Sequence, residues 1–337
     1  MTSPLTNLIN TYHELNASIV DELEEDPSAL EFLQFVAKNR PFVVRHAANS
    51  WTASEKWDAD YLRQRMGSDK VKVAITPLGN ADAVVQHSHG SLVFVEPHEI
   101  FEPFTDFLDD TQASSSRHVK YAQTQNDNLR NEYANLLPDV PTDIPFARLA
   151  LNQSADAINL WLGDDRSVTS LHKDNYENIY VQIRGQKDFV LMPPVEMPCV
   201  NEQTLRPGRY VLTDDGELEV RLDEEAERIP VATWDPDEPE QRTTPYSHLA
   251  KPLRVTLREG DLLYLPSMWY HKVSQRIGDE GFVCAVNYWY DMDFAGNHWA
   301  NTSFTRDVYQ TEQMKPVYPN LDIGDEKATA KTPSEES

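Results

Sequence analysis

From Ala157 to Asp291 the chain offers eight short strand-like runs, with no helical run between them. They read AINLWLG, TSLHKD, NIYVQIRG, KDFVLMPP, LRVTLREG, DLLYLP, WYHKVSQ and FVCAVNYWYD. Turns rich in Gly and Pro join them, so the segment indicates a β-sandwich or barrel. The class is mainly β, with helices at its flanks.

The order of other segments sets the expected organisation. In residues 1–150, DPSALEFLQFVAKNRP reads as a helix, with Asp26 as N-cap, Pro27 at the first helical position and Pro41 as the stop. PFVVRHA and KVKVAITPLG follow as strands. A helix is expected around Phe101–Leu108, and RHVKYAQT reads as a short strand carrying Tyr121. The β domain spans 151–294, with an acidic insertion at about 199–252 that reads as a long loop. A helical segment over 295–321 closes the chain, and composition makes 322–337 a disordered tail.

Charge and composition exclude several classes. A formal net charge of −25 argues against nucleic acid, because phosphate contact needs a basic face. The same charge suits a basic protein partner. No stretch approaches the roughly 18 apolar residues of a membrane span, and the first residues lack the pattern of a signal peptide. Only two cysteines occur, Cys199 and Cys284, which fits a reducing compartment. The expected location is the cytoplasm, with the nucleus as a second.

The chemistry gathers in SVTSLHKDNYENIYVQIRGQKDFVLMPP, residues 167–194. His172 and Asp174 lie two apart at a strand end, so both point to one face. His271 sits in the seventh strand and can complete a set of two imidazoles and one carboxylate. Such a facial set leaves three positions open on iron(II). Zinc competes for the same donors, and polar residues satisfied at strand ends are the plain alternative. His298 is the next histidine to consider as third ligand.

Lys187 sharpens the reading. By alternation it shares the inward face of its strand with Phe189 and Leu191. A buried, unpaired ammonium costs several kcal/mol, so it needs an anion. No acidic residue in the flanking strands obviously supplies one. A small dicarboxylate, chelating a metal at one end and meeting Lys187 at the other, fits both features, and 2-oxoglutarate is the candidate.

At these residues the sequence resembles the Jumonji-C family of 2-oxoglutarate oxygenases. VTSLHKD, the Gly185-x-Lys187 step, GDLLYLPSMWYHKV and AVNYWYDM stand in the family's order, over about residues 39–294. The resemblance implies a double-stranded β-helix, a cupin-like jelly roll of eight core strands. It implies Fe(II) held by His172, Asp174 and His271, with 2-oxoglutarate and O2 as cosubstrates. Lys187, Thr169 and Tyr121 would then hold the distal carboxylate, and Asn178 and Asn287 match positions near the chelating end. NRPFVVRHAANSW, VAITPLGNADAV and SLHKDNYENIY are similar to the small lysyl-hydroxylase subgroup. That subgroup implies (3S)-hydroxylation of a lysine on a developmentally regulated GTP-binding protein. A homodimer is among the expected assemblies.

Other readings within the enzymes are hydroxylation of another residue, lysine demethylation, and histone-tail peptidase activity. A zinc peptidase of the His-Glu-x-x-His type lacks its motif here. A non-catalytic cupin-like scaffold has no use for a buried cation. The insertion and the C-terminal tail depart from the family pattern, and the sequence puts neither in contact with the three candidate ligands.

Overall fold

The computed structural model describes residues 3–87, 90–113 and 116–314. The expected tail over 322–337 lies outside the described residues, as do the last residues of the 295–321 segment.

Eight strands form the core. They are β9 (Ala157–Gly163), β10 (Val168–His172), β11 (Tyr176–Arg184), β12 (Gln186–Met192), β16 (Leu253–Leu257), β17 (Leu262–Leu265), β18 (Tyr270–Arg276) and β19 (Val283–Asp291). They divide four and four between two sheets, β17-β11-β19-β9 and β16-β12-β18-β10. The chain crosses between sheets at nearly every step, which is the winding of a cupin-like jelly roll. All seven residues of β9 are buried, because the larger sheet is covered on both faces.

The N-terminal part extends both sheets. β1 (Asp21–Leu23) and β2 (Phe42–Val44) add to one edge of the larger sheet; β3 (Lys70–Thr76), β7 (His98–Pro103) and β8 (Val119–Ala122) add to the other. The short β4 (Asn80–Ala81) joins the edge at β10. Helices α1 (Pro4–Leu15), α2 (Ala29–Lys38), α3 (Thr52–Lys56), α4 (Ala59–Met66), α5 (Phe104–Ala113) and α6 (Pro145–Leu151) precede the core strands. Phe32 of α2 packs edge-on against Phe146 of α6 and Tyr264 of β17, at centroid distances of 5.1 and 4.8 Å. This aromatic cluster covers the outer face of the sheet. α7 (Asn297–Met314) follows the last strand, where a closing helix was expected.

Three local expectations change. The cap of α2 is Ser28 rather than Asp26. The Ser28 hydroxyl accepts from the Glu31 amide at 3.3 Å, and the Glu31 carboxylate accepts from the Ser28 amide at 2.8 Å. That reciprocal box satisfies two end donors at once and outweighs the Asp-Pro signal. Phe101 belongs to β7, so the helix expected from Phe101 begins at Phe104 instead.

Over residues 202–232 the acidic segment is a sheet rather than a loop. It forms β13 (Glu202–Leu212), β14 (Leu218–Leu222) and β15 (Ile229–Ala232). β13 pairs in parallel with β6 (Leu92–Glu96), which pairs with β5 (Ala83–Gln86). Val93, Val95 and Tyr210 give this sheet a small core of its own.

Two glycines place functional side chains. Gly185, at φ +69°, turns β11 into β12, and a Cβ there would lie 2.8 Å from the Arg276 carbonyl oxygen. Gly163 pairs across from Tyr121, and a Cβ there would come within 2.6 Å of the tyrosine ring. The bare backbone is what admits Tyr121 into the core.

Candidate metal and cosubstrate site

His172 ends β10 and stands directly across the ladder from His271 of β18. Their rings approach to 4.1 Å between centroids. Each Nδ1 donates to a backbone carbonyl two residues earlier, His172 to Ser170 at 2.8 Å and His271 to Trp269 at 3.1 Å. Those bonds fix the tautomer and leave both Nε2 lone pairs free. Both Nε2 atoms face the same oxygen of Asp174, at 3.8 and 3.7 Å. These separations are too long for hydrogen bonds. Burial and the neighbouring His172 push His271 down to about 4, which keeps it a neutral donor. Three donor atoms of this kind, all within 4.8 Å of one another, suit a divalent metal. Asp174 is anchored through its carbonyl, which accepts from the Met268 amide at 2.8 Å.

The same cavity reaches Lys187. Lys187 is 2% exposed. Its ammonium donates to the hydroxyls of Tyr121 at 2.9 Å and Tyr180 at 2.7 Å. It also lies 5.2–5.7 Å from the ring centres of Tyr180, Tyr121 and Trp161. Burial lowers its pKa to about 7. Two neutral hydroxyls and three π faces do not neutralise a cation, so the pocket is prepared for an anion.

Thr169 lines the cavity from β10. Asn178 and Asn287 line it from β11 and β19, and their amides are locked in a chain. Trp161 Nε1 donates to Asn287 Oδ1 at 2.9 Å, and Asn287 Nδ2 donates to Asn178 Oδ1 at 3.1 Å. All eight residues singled out in the sequence thus line one cavity. His298 does not; it sits on α7 beside Tyr12 and Lys38 in a separate cavity.

Sequence reasoning missed Tyr180 and Trp161. Tyr180 was within reach, because alternation puts it on the same face of β11 as Asn178.

A profile described as the cupin-like domain matches residues 27–296. The bifunctional peptidase and (3S)-lysyl hydroxylase JMJD7 of Homo sapiens is 39% identical over 277 residues, covering 82% of this chain and 85% of that protein. The chain belongs to the cupin-like Jumonji-C family. Two further Jumonji-C relatives align over most of its length. The lysine-specific demethylase JMJ32 of Arabidopsis thaliana is 36% identical, covering 94% of this chain and 95% of its own. The JmjC domain-containing protein E of Dictyostelium discoideum is 33% identical, covering 83% and 87%. Jumonji-C hydroxylases use Fe(II) and 2-oxoglutarate, and the His172, Asp174 and His271 set here could hold a metal ion. Among the described residues, no helix is long and apolar enough to cross a membrane.

Proposed function

We propose that this protein is an Fe(II)- and 2-oxoglutarate-dependent dioxygenase that hydroxylates a lysine of a protein substrate. One observation carries the reading: a single cavity has three convergent metal donors and, elsewhere in its wall, a buried lysine with no carboxylate partner among the described residues. His172, Asp174 and His271 would hold the iron. Lys187, with Tyr121, Thr169 and the newly found Tyr180, would hold the distal carboxylate of 2-oxoglutarate. Asn178 and Asn287 would face its chelating end, their amides already oriented by Trp161.

Bound iron(II), 2-oxoglutarate and O2 supply the oxidation: one oxygen atom enters a C–H bond, the other enters succinate, and carbon dioxide leaves. The chain's own part is positioning and water exclusion. Hydroxylation at an unactivated carbon needs no general base.

The resemblance to the lysyl-hydroxylase subgroup supports a developmentally regulated GTP-binding protein as substrate and (3S)-hydroxylation as outcome. The net charge of −25 would favour a basic target segment. Cytoplasm and nucleus are the proposed locations, and a homodimer the proposed assembly. The demethylase relative supports one rival, abstraction at an N-methyl carbon in the same cavity. Mass spectrometry of such a GTPase, incubated with enzyme, iron(II) and 2-oxoglutarate, separates the readings. A gain of one oxygen on a lysine supports hydroxylation; loss of methyl groups or chain cleavage overturns it.

A further inference from the structure

Behind the candidate ligands runs a row of charges that the oxygenase chemistry does not use. Lys173 stands between His172 and Asp174, and Tyr270 immediately precedes His271. Strand alternation turns these two side chains to the opposite face from the imidazoles. There the Lys173 ammonium donates to the Tyr270 hydroxyl at 3.1 Å and lies 4.9 Å from the centre of its ring. The Glu202 carboxylate, 5% exposed, approaches Lys173 at 3.7 Å with one oxygen. Its other oxygen accepts from Arg306 Nε at 2.6 Å. The row therefore starts on α7, passes through the first residue of β13 and ends between the two strands that carry the histidines.

We propose that Lys173 is a positioning residue for the metal centre. Its contact with Tyr270 ties the segment bearing His172 and Asp174 to the segment bearing His271. Glu202 and Arg306 hold the ammonium in place, which makes the acidic segment and α7 part of the site. The segment read from sequence as remote from the ligands also comes close directly: Pro230, Val231 and Ala232 share a cavity of about 170 Å³ with His172. Groups that orient ligands from behind typically change metal affinity about 10–100-fold when removed. The inference rests on the metal reading above.

The charges choose the probe. Two cations share one carboxylate, so Glu202→Gln strands both and threatens the fold. Lys173→Met leaves Glu202 and Arg306 as a matched pair. Tyr270→Phe changes no charge and removes only the hydroxyl.

The test uses the metal-free full chain, titrated with Mn(II) by electron paramagnetic resonance and with Co(II) by its d–d spectrum. Both variants should melt within a few degrees of the parent, bind Mn(II) about tenfold or more weakly and show an altered Co(II) spectrum. Lys173→Arg, which keeps a cation and a donor, should recover most of the affinity. The double variant should lose no more than the worse single one, since both remove one contact. Folded variants with parental Mn(II) affinity and an unchanged Co(II) spectrum overturn the inference while leaving the metal reading intact. If Lys173→Met does not fold, Tyr270→Phe decides alone. A parent that binds neither ion removes both readings.

Discussion

The Lys187 ammonium sits 2.7 Å from the Tyr180 hydroxyl, and among the described residues no carboxylate comes within ion-pairing distance of it. Lys187→Met should therefore have effects of opposite sign. Cosubstrate binding loses one partner of a buried ion pair, which costs roughly 3–5 kcal/mol, on the order of 100-fold or more in the 2-oxoglutarate requirement. The cosubstrate-free protein loses a desolvated cation while methionine fills similar volume, so its melting temperature should stay level or rise. A variant that melts far lower yet binds 2-oxoglutarate normally would show Lys187 to be structural.

The pH dependence follows from the same group. Burial lowers Lys187 from its ordinary 10.5 to about 7 in the folded protein. Between those values the unfolded chain holds more protons, so this group makes stability rise with pH across that window. Below about 7 both states are charged and the full cost of the buried cation is present. A dicarboxylate favours the charged form, so 2-oxoglutarate binding above pH 7 should take up a proton. Calorimetry in two buffers of different ionisation enthalpy reads that proton directly. Uptake near zero at pH 8 would mean that Lys187 is already charged, or is not the partner.

Much of this was legible because burial leaves plain marks. AINLWLG is apolar at nearly every position because both faces of β9 are covered. Lys187 declared its direction through Phe189 and Leu191, and His172 and Asp174 through their spacing. The acidic segment was misread because its charge masked a local hairpin signal, the Asp215-Gly216 turn across which β13 and β14 pair, and because its other partner, β6, lies far upstream. Tyr121 was hard to place for a similar reason, since its position depends on a bare backbone at Gly163 across the ladder. The Lys173–Glu202–Arg306 row joins three distant segments and is invisible to spacing altogether.

Asp174→Ala should abolish turnover with the fold largely intact. Its carboxylate is the one acidic donor of the set and, among the described residues, makes no hydrogen bond that holds the core together. The backbone bond from Met268 survives the change. His271→Ala should weaken iron binding as well, because two protein donors define a metal poorly. Equilibrium dialysis with iron(II) under anaerobic conditions measures both. Parental affinity in the His271 variant would move the third ligand elsewhere.

Tyr180→Phe isolates the residue that sequence reasoning passed over. The ring that faces the ammonium at 5.2 Å remains, and only the hydroxyl at 2.7 Å is lost. Without the hydroxyl, the charged form of Lys187 has one acceptor left, Tyr121 at 2.9 Å. A hydrogen bond to a charged group contributes roughly 1.5–3 kcal/mol, so Lys187 should release its proton about one pH unit lower or more. The pH at which 2-oxoglutarate affinity begins to fall should move down by the same interval. At pH 6, where the parent is largely protonated and the variant about half so at most, their affinities should differ least. At pH 8 the variant should be the weaker by about tenfold. Affinity measured across pH 6–9 for parent and variant checks this. Parallel curves displaced by a constant factor would mean that Tyr180 touches the cosubstrate but does not hold the ammonium.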